Sequence, residues 1–200
     1  MCIRFHSLIV VSAATALVVG CQNGPSQPVS PSSLDAAQPA VVAQPAQLAA
    51  AGESRHVVTM MDACDPDTFN AAIGPGTCTR SGGVQFAKFL EQLGLHHSIG
   101  AWHFAPPNVR MRVGQLLVAT NRGGEVHTFT EVDDFGGGIV ADLNTLTGLT
   151  TVAPECMQLT GSDFIAPGAS SSEEEEEAGT EKYQCCIHPW MRAEVRITEK

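Results

Sequence analysis

Three hydrophobic patterns follow one another along the 200-residue chain. Residues 8–19 form a predominantly apolar run behind Arg4 that is too short to span a bilayer comfortably, which predicts an export signal over residues 1–20. Residues 21–54 are rich in Pro, Ala, Gln and Ser and contain no aromatic residue, which predicts a disordered tether. Residues 55–200 have helix-like and strand-like periods and are expected to form one folded domain.

Strand-like alternation dominates the folded part. The β-branched run at 56–61, the alternation at 109–113 and the apolar segment at 116–119 each predict a strand. A turn follows, in which Gly123 and Gly124 can take positive φ, and it is expected to return the chain as a hairpin. Short strands joined by Gly-rich turns favour an all-β, antiparallel sandwich over an α/β fold.

One segment has a helical period instead. Its apolar residues recur at i, i+3, i+4 and i+7: Phe86, Phe89, Leu90 and Leu93. This spacing predicts a short amphipathic helix that packs on the core and stops at Gly94. Residues 134–168, by contrast, are long and irregular, and a loop of this length is expected to have a purpose or a covalent staple.

The composition is acidic, with 21 acidic and 11 basic residues and a formal net charge of −10. A chain without a basic patch to neutralise phosphates is a poor candidate for nucleic-acid binding, so small ions or basic protein surfaces are the expected partners. Five consecutive glutamates occupy residues 173–177. The sequence leaves open whether they form an exposed strand or a solvated loop.

The segment CCIHPWM, residues 185–191, concentrates soft metal ligands. Cys185 and His188 stand in C-x-x-H spacing, and Met191 follows His188 in H-x-x-M spacing. A thiolate, an imidazole and a thioether favour copper, particularly in a site that must accommodate both Cu(I) and Cu(II). Such a site needs one more imidazole from elsewhere in the chain.

Two segments together resemble one family. YQCCIHPWMRAEVRI resembles the ligand loop and last strand of the cupredoxins, and its short C-x-x-H-P-aromatic-M spacing is most similar to amicyanin. WHFAPPNVRMRVGQLLVATNRGGEVHTFTEV resembles the upstream cupredoxin segment that carries the first histidine ligand. The resemblance covers about residues 100–132 and 180–197, and it leaves about 62–99 as a short helical insertion and about 134–168 as a long loop insertion. It implies a Greek-key cupredoxin-like β-sandwich and a type 1 copper site formed by His127, Cys185, His188 and Met191.

The resemblance also implies a function. It predicts a monomer that binds one copper ion and carries single electrons between redox partners, and that is not an enzyme. His188 would lie near the surface and, with Trp190, would mark the docking site for a redox partner. The other histidines of this region, His96, His97 and His103, are interpreted as polar surface residues, and the chain lacks the H-x-H pair of multicopper oxidases. The alternative is a non-redox protein that binds or delivers copper or serves as an envelope interaction module.

The resemblance assigns Cys185 to copper and leaves four cysteines in the folded domain for two disulfides. Cys64 and Cys78 would close a loop of about 15 residues. Cys156 would then pair with Cys186 and pin the long loop insertion to the ligand strand. Successive residues of a strand point to opposite faces, so Cys185 can face the metal while Cys186 faces away.

The end of the signal segment, LVVGC, resembles the bacterial lipobox. This resemblance implies that Cys21 becomes the lipid-modified N-terminus, and an ordinary cleaved signal with an unmodified cysteine is the alternative. A lipid followed by a tether would hold the domain at a membrane of the cell envelope, on the periplasmic side. Gln22 follows the cysteine in place of an inner-membrane retention Asp, which favours the outer membrane in a cell that has two.

Overall fold

The structure is a computed structural model and describes residues 55–200. The predicted signal, the predicted tether and Cys21 lie outside the described residues. The strands are β1 (Arg55–Met61), β2 (His103–Ala105), β3 (Asn108–Arg112), β4 (Leu116–Asn121), β5 (Thr130–Val132), β6 (Ser170–Glu174), β7 (Gly179–Gln184) and β8 (Arg192–Thr198). The helices are α1 (Pro66–Ala72), α2 (Phe86–His96) and α3 (Ala141–Thr147), and 3-10 turns occupy Pro154–Met157 and Gly161–Asp163. Within this described part, none of the helices has the length and apolarity needed to cross a membrane.

The strands form two mixed sheets of four, in the orders β2-β1-β4-β6 and β3-β8-β7-β5. One neighbouring pair in each sheet is parallel, β1 with β4 and β3 with β8, and the other pairs are antiparallel. The mostly-β prediction is confirmed, but the expected hairpin after β4 is wrong. Strand β4 pairs with β1 and β6, whereas β5 pairs with β7, so the chain between β4 and β5 crosses from one sheet to the other. The Greek-key arrangement stays a prediction.

The core lies between the two sheets. Strands β3 and β8 alternate exposed and buried residues along their length, as expected for strands with one solvated face. Met60 and Phe104 of the first sheet and Val195 and Ile197 of the second belong to one hydrophobic cluster. Each such side chain contributes about 1.5–3 kcal/mol by burial, and together they fix the sheets that hold the ligand segments.

The two glycines after β4 serve close packing and not a positive φ. Neither Gly123 nor Gly124 is among the described residues with positive φ, which corrects the turn expected at this position. A Cβ on Gly123 would overlap the Asp62 carboxylate, and a Cβ on Gly124 would lie 2.7 Å from the Cys64 sulfur. The pair therefore lets the end of β1 pack directly against the segment that leads to His127.

Helix α2 confirms the predicted amphipathic segment but extends past its expected end. Gly94 lies inside the helix, and His97, which directly follows the helix, takes the left-handed conformation with φ 57°. The glycine is 3.8 Å, measured from an ideal Cβ, from the side chain of Leu146 in α3. A small residue at this position therefore allows α3 to pack closely on α2.

The two insertions contain more helix than the sequence predicts. Asp65 caps α1 by accepting the amide N–H of Thr68 at 3.0 Å, and Pro66 occupies the first turn, where its missing N–H costs nothing. The region expected to be one long irregular loop contains α3, which ends at Gly148 in the left-handed conformation. These helix start and stop signals are local. The high Gly and Pro content around them led to the prediction of loops instead of helices.

The acidic run divides between two environments. Residues 173 and 174 end β6, whereas Glu175 is buried beside Tyr183. The Tyr183 hydroxyl donates to Glu181 at 2.8 Å and to Glu175 at 3.3 Å. Burial, reinforced by the charges of Glu181 and Glu173, raises the pKa of Glu175 to about 8. The run is therefore neither a fully exposed strand nor a solvated loop.

Candidate metal centre

Three side chains with metal-binding atoms meet beside the end of β7. His127 comes from the segment between β4 and β5, which is held by backbone hydrogen bonds with Ile165, and Cys185 directly follows β7. His188 lies in the turn that leads into β8. The ligand atoms of the three residues lie within 4.8 Å of one another, and all three side chains are buried.

The two imidazoles present the same atom to the sulfur. Nδ1 of His127 lies 3.8 Å from the Cys185 Sγ, and Nδ1 of His188 lies 3.9 Å from it. The amide N–H groups of Thr128 and His188 also donate to this sulfur, each at 3.4 Å. Two ring nitrogens and one sulfur thus face a common point that is closed to solvent.

The surroundings of Cys185 favour the thiolate. Full burial alone would raise the pKa of the thiol, but the hydrogen bonds and charges of His127 and His188 outweigh it and hold the pKa well below its usual value. Cys185 is the free cysteine of the described part of the chain. A buried thiolate flanked by two imidazoles is a soft, anionic ligand set of the kind that selects copper.

Met191 closes the ligand loop. Its carbonyl oxygen accepts the amide N–H of Cys185 at 3.0 Å, and its own N–H donates to the His188 carbonyl at 2.9 Å. The Met191 side chain is fully buried and belongs to the same core cluster as Cys185. The turn from Cys185 to Met191 is therefore a tight backbone loop that keeps the thioether inside the protein.

Asp62 orients the first histidine. Its Oδ2 lies 2.9 Å from Nε2 of His127, the nitrogen that faces away from the sulfur, and its carboxylate also accepts the amide N–H groups of Gly124 and Glu125 at 2.9 and 3.0 Å. Burial opposes the charge of Asp62, but these hydrogen bonds prevail and lower its pKa to about 2. Burial likewise opposes the charge of His127, but Asp62 and Cys185 raise its pKa to about 9. The carboxylate thus fixes the ring so that Nδ1 points at the sulfur.

Glu125 has the corresponding position beside the second histidine, with a looser contact. Its Oε2 accepts the indole N–H of Trp102 at 2.7 Å and lies 3.7 Å from Nε2 of His188. Burial raises the pKa of Glu125, although the charge of His188 and the Trp102 hydrogen bond act in the other direction. Both imidazoles therefore have a buried carboxylate behind the ring nitrogen that does not face Cys185.

Two disulfides surround the site. Cys64 is bonded to Cys78, and Cys156 is bonded to Cys186, as expected from the sequence. The second bond attaches the long insertion to the strand that carries Cys185, because Cys186 points to the opposite side and joins a separate small cluster. The N–H of Ile139 also donates to the Cys186 carbonyl at 2.7 Å.

The structure brings three of the four predicted copper ligands into one group and places Met191 on the same loop. His96, His97 and His103 are exposed and lie outside the group. His188, expected near the surface, is only 3% exposed. Residues of all three helices lie around it and line one space together with it.

Asp62 and Glu125 were not predicted from the sequence. Asp62 follows β1, and Glu125 precedes His127 by two residues. Neither lies in a recognisable ligand spacing, and their roles depend on contacts between segments that are far apart in the chain. The glycines at 123 and 124 were the available signal, since they mark a place where other atoms come unusually close.

Comparisons with known proteins give a limited result. No family model matches the chain, and no curated protein matches it. Among solved structures, a purple cupredoxin from Nitrosopumilus maritimus is 25% identical, covering 50% of this chain and 86% of its own, with a TM-score of 0.37. A Cu(I) form of an amicyanin mutant is 24% identical, covering 48% of this chain and 73% of its own, with a TM-score of 0.33. A reduced amicyanin mutant is 26% identical over 46% and 70% of the two chains, with a TM-score of 0.31.

Proposed function

We propose that this protein is a type 1 copper protein that carries single electrons between redox partners. In this role Cys185 would hold the metal through its thiolate, His127 and His188 would hold it through Nδ1, and Met191 would contribute its thioether as the weaker ligand. The observation that carries the proposal is the convergence of two imidazole Nδ1 atoms and one thiolate in a buried, preformed group. A bound copper ion would supply the one-electron redox chemistry.

The surroundings suit an electron carrier because they resist rearrangement. Asp62 fixes the His127 ring, the Cys185–Met191 backbone hydrogen bond closes the loop, and two amide N–H groups donate to the sulfur. Residues held in this way keep their positions when the charge at the centre changes by one unit, which lowers the cost of electron transfer. We propose a carrier and not a catalyst.

Copper storage or delivery is the second candidate. The observation in its favour is the burial of His188, which leaves 3% of this residue exposed where an electron carrier needs a route to its partner.

Trp190 is half-buried and contacts the His188 ring edge-on at a centroid distance of 5.5 Å. We therefore place the docking surface for a redox partner at Trp190 and the residues that cover His188.

Voltammetry of the copper-loaded protein tests the two candidates against each other. An electron carrier gives a reversible one-electron wave and keeps its metal when a competing chelator is added. A delivery protein loses the metal readily to the chelator, and an irreversible wave would count against the electron-transfer proposal.

We further propose attachment to the cell envelope through a lipid on Cys21, on the periplasmic side. Expression with a radiolabelled fatty acid tests this proposal. The label should be found in the wild-type protein and be absent from a Cys21→Ser variant, and an unlabelled wild-type protein would contradict it.

A further inference from the structure

An apolar cavity of about 660 Å³ lies beside the candidate metal centre. Its walls come from all three helices of the described part and from the ligand loop, with Phe69, Phe86, Phe89, Leu143 and Ile187 among the lining residues. Among its polar lining residues, Glu125 and His188 are almost completely buried, whereas Thr77 is half-buried and Asp142 and Thr145 are exposed at the rim. The two insertions thus form an apolar pocket that is open to solvent at Ile73 and Leu90 and reaches the second histidine of the centre.

The cavity walls are held firmly enough to keep this space open. The ring of Phe69 contacts Phe86 at 5.2 Å and Phe89 at 5.4 Å, and Phe89 packs on Trp102 at 4.9 Å. Helix α1 is tied to the following loop by the side chain of Asn70, which bonds both the N–H and the carbonyl of Cys78 at 2.9 Å. Protein interiors are close-packed, so an apolar space of this size between fixed walls is typical of a ligand pocket.

The polar lining indicates which chemical group a ligand would need. Glu125 Oε2 already accepts the Trp102 indole N–H, whereas Oε1 accepts no hydrogen bond from any of residues 55–200. A carboxyl oxygen of an almost buried side chain that keeps spare acceptor capacity favours a ligand that donates a hydrogen bond. The aromatic walls favour a flat apolar body.

We propose that this cavity binds a small, neutral aromatic molecule with a hydroxyl group, whose ring packs among Phe69, Phe86 and Phe89 and whose hydroxyl donates to Glu125. The insertions then have a specific purpose, since they build a small-molecule site whose occupant touches His188. Occupancy requires no metal, so this site stands independently of the copper proposal.

Calorimetry on the metal-free full chain tests the proposal with three probes of similar size: 1-naphthol, naphthalene and 1-naphthoate. A hydrogen bond to the Glu125 carboxyl is worth up to about tenfold in affinity, so 1-naphthol should bind several-fold more tightly than naphthalene. Naphthoate should bind more weakly than both, because its carboxylate would face Glu125. A cavity that selects only apolar surface would prefer naphthalene, and that order, or no binding of 1-naphthol, would overturn the proposal.

A matched pair of substitutions on α2 locates the site. Leu90 lines the cavity, whereas Leu95 is 67% exposed and does not line it. Leu90→Trp should fill the space and weaken 1-naphthol binding at least tenfold, and Leu95→Trp should leave it unchanged. Leu143→Trp narrows the cavity from α3 and provides a second variant should Leu90→Trp fail to fold. Equal binding by the folded cavity variants and the Leu95→Trp control would refute the location.

The small-molecule site and the copper site can be refuted independently of each other. Loss of 1-naphthol selectivity in a protein that still binds copper would remove only the small-molecule site. Selective 1-naphthol binding by a protein that takes up no copper would remove only the metal site.

Discussion

Replacement of Asp62 by Asn tests how the carboxylate supports the candidate metal centre. In the wild-type protein this side chain is 1% exposed, and it accepts hydrogen bonds from the His127 ring and from the backbone of Gly124 and Glu125. Asn keeps the shape but removes the charge and turns one acceptor into a donor, which would face N–H groups. We expect copper affinity to fall about 10- to 100-fold, as is usual when the carboxylate behind a histidine ligand is lost.

The same substitution should change the stability of the metal-free protein. The Asp62 pKa falls from its usual 3.8 to about 2 on folding, and at about 1.4 kcal/mol for each pKa unit this stabilises the folded state by about 2 kcal/mol. That contribution is fully present above pH 3.8 and is lost as the pH falls towards 2. Asp62 and Cys185 also raise the pKa of His127 to about 9. The stabilisation that comes from this raised pKa is present below pH 6.5 and is lost as the pH rises through about 9.

Urea denaturation of the metal-free protein between pH 3 and 9 measures this effect, and competition with a chelator measures the copper affinity. Asp62→Asn should be less stable than wild type by about 2 kcal/mol near pH 5–6, with a smaller difference at either end of the range. Asp134→Asn is the matched control, since Asp134 pairs with Lys182 on an exposed surface, where such pairs contribute little. Wild-type stability and copper affinity in Asp62→Asn would refute the orienting role of this carboxylate.

Two further predictions concern the long insertion and the buried glutamate. Gly138→Ala should lower the free energy of unfolding by about 1–3 kcal/mol, because the added Cβ would overlap the Cys186 backbone carbonyl. Gly161→Ala is the control and should leave the stability unchanged, because its added Cβ meets open space. Equal urea midpoints for the two variants would contradict this prediction. Glu175 has a folded-state pKa of about 8, so it stabilises the fold below pH 4.5 and loses this contribution as the pH rises through 8. Glu175→Gln should therefore reduce the decline in stability between pH 4.5 and 8. Glu174 is exposed, so Glu174→Gln should keep the wild-type pH profile. Identical pH profiles for the two variants would contradict the burial of Glu175.

Local patterns predicted the elements of this fold better than their arrangement. The alternation at 109–113 and the helical spacing around Phe89 led directly to β3 and α2. The pairing of β4 could not be predicted locally, because its two neighbours, β1 and β6, lie far away in the chain and one of them is parallel. Gly123 was misinterpreted for a related reason, since a glycine needed for close packing has the same sequence signature as one needed for a turn.

The ligand loop could be predicted because its residues are close in sequence. The C-x-x-H-x-x-M spacing singled out Cys185, His188 and Met191, and the family resemblance supplied the distant histidine. The sequence contained no comparable spacing for Asp62 or Glu125, whose effects arise from contacts with the backs of the imidazole rings. The burial of His188 could not be predicted either, because it depends on how α1, α2 and α3 pack together.

The most direct test of the copper site is the visible spectrum after addition of Cu(II) to the purified protein. We expect one copper ion per chain and a strong thiolate-to-copper charge-transfer band. The band should be lost in Cys185→Ser and kept in a Cys156→Ala, Cys186→Ala double variant, which removes the neighbouring disulfide without leaving a free thiol. A colourless wild-type protein, or a band that survives Cys185→Ser, would contradict the proposed centre.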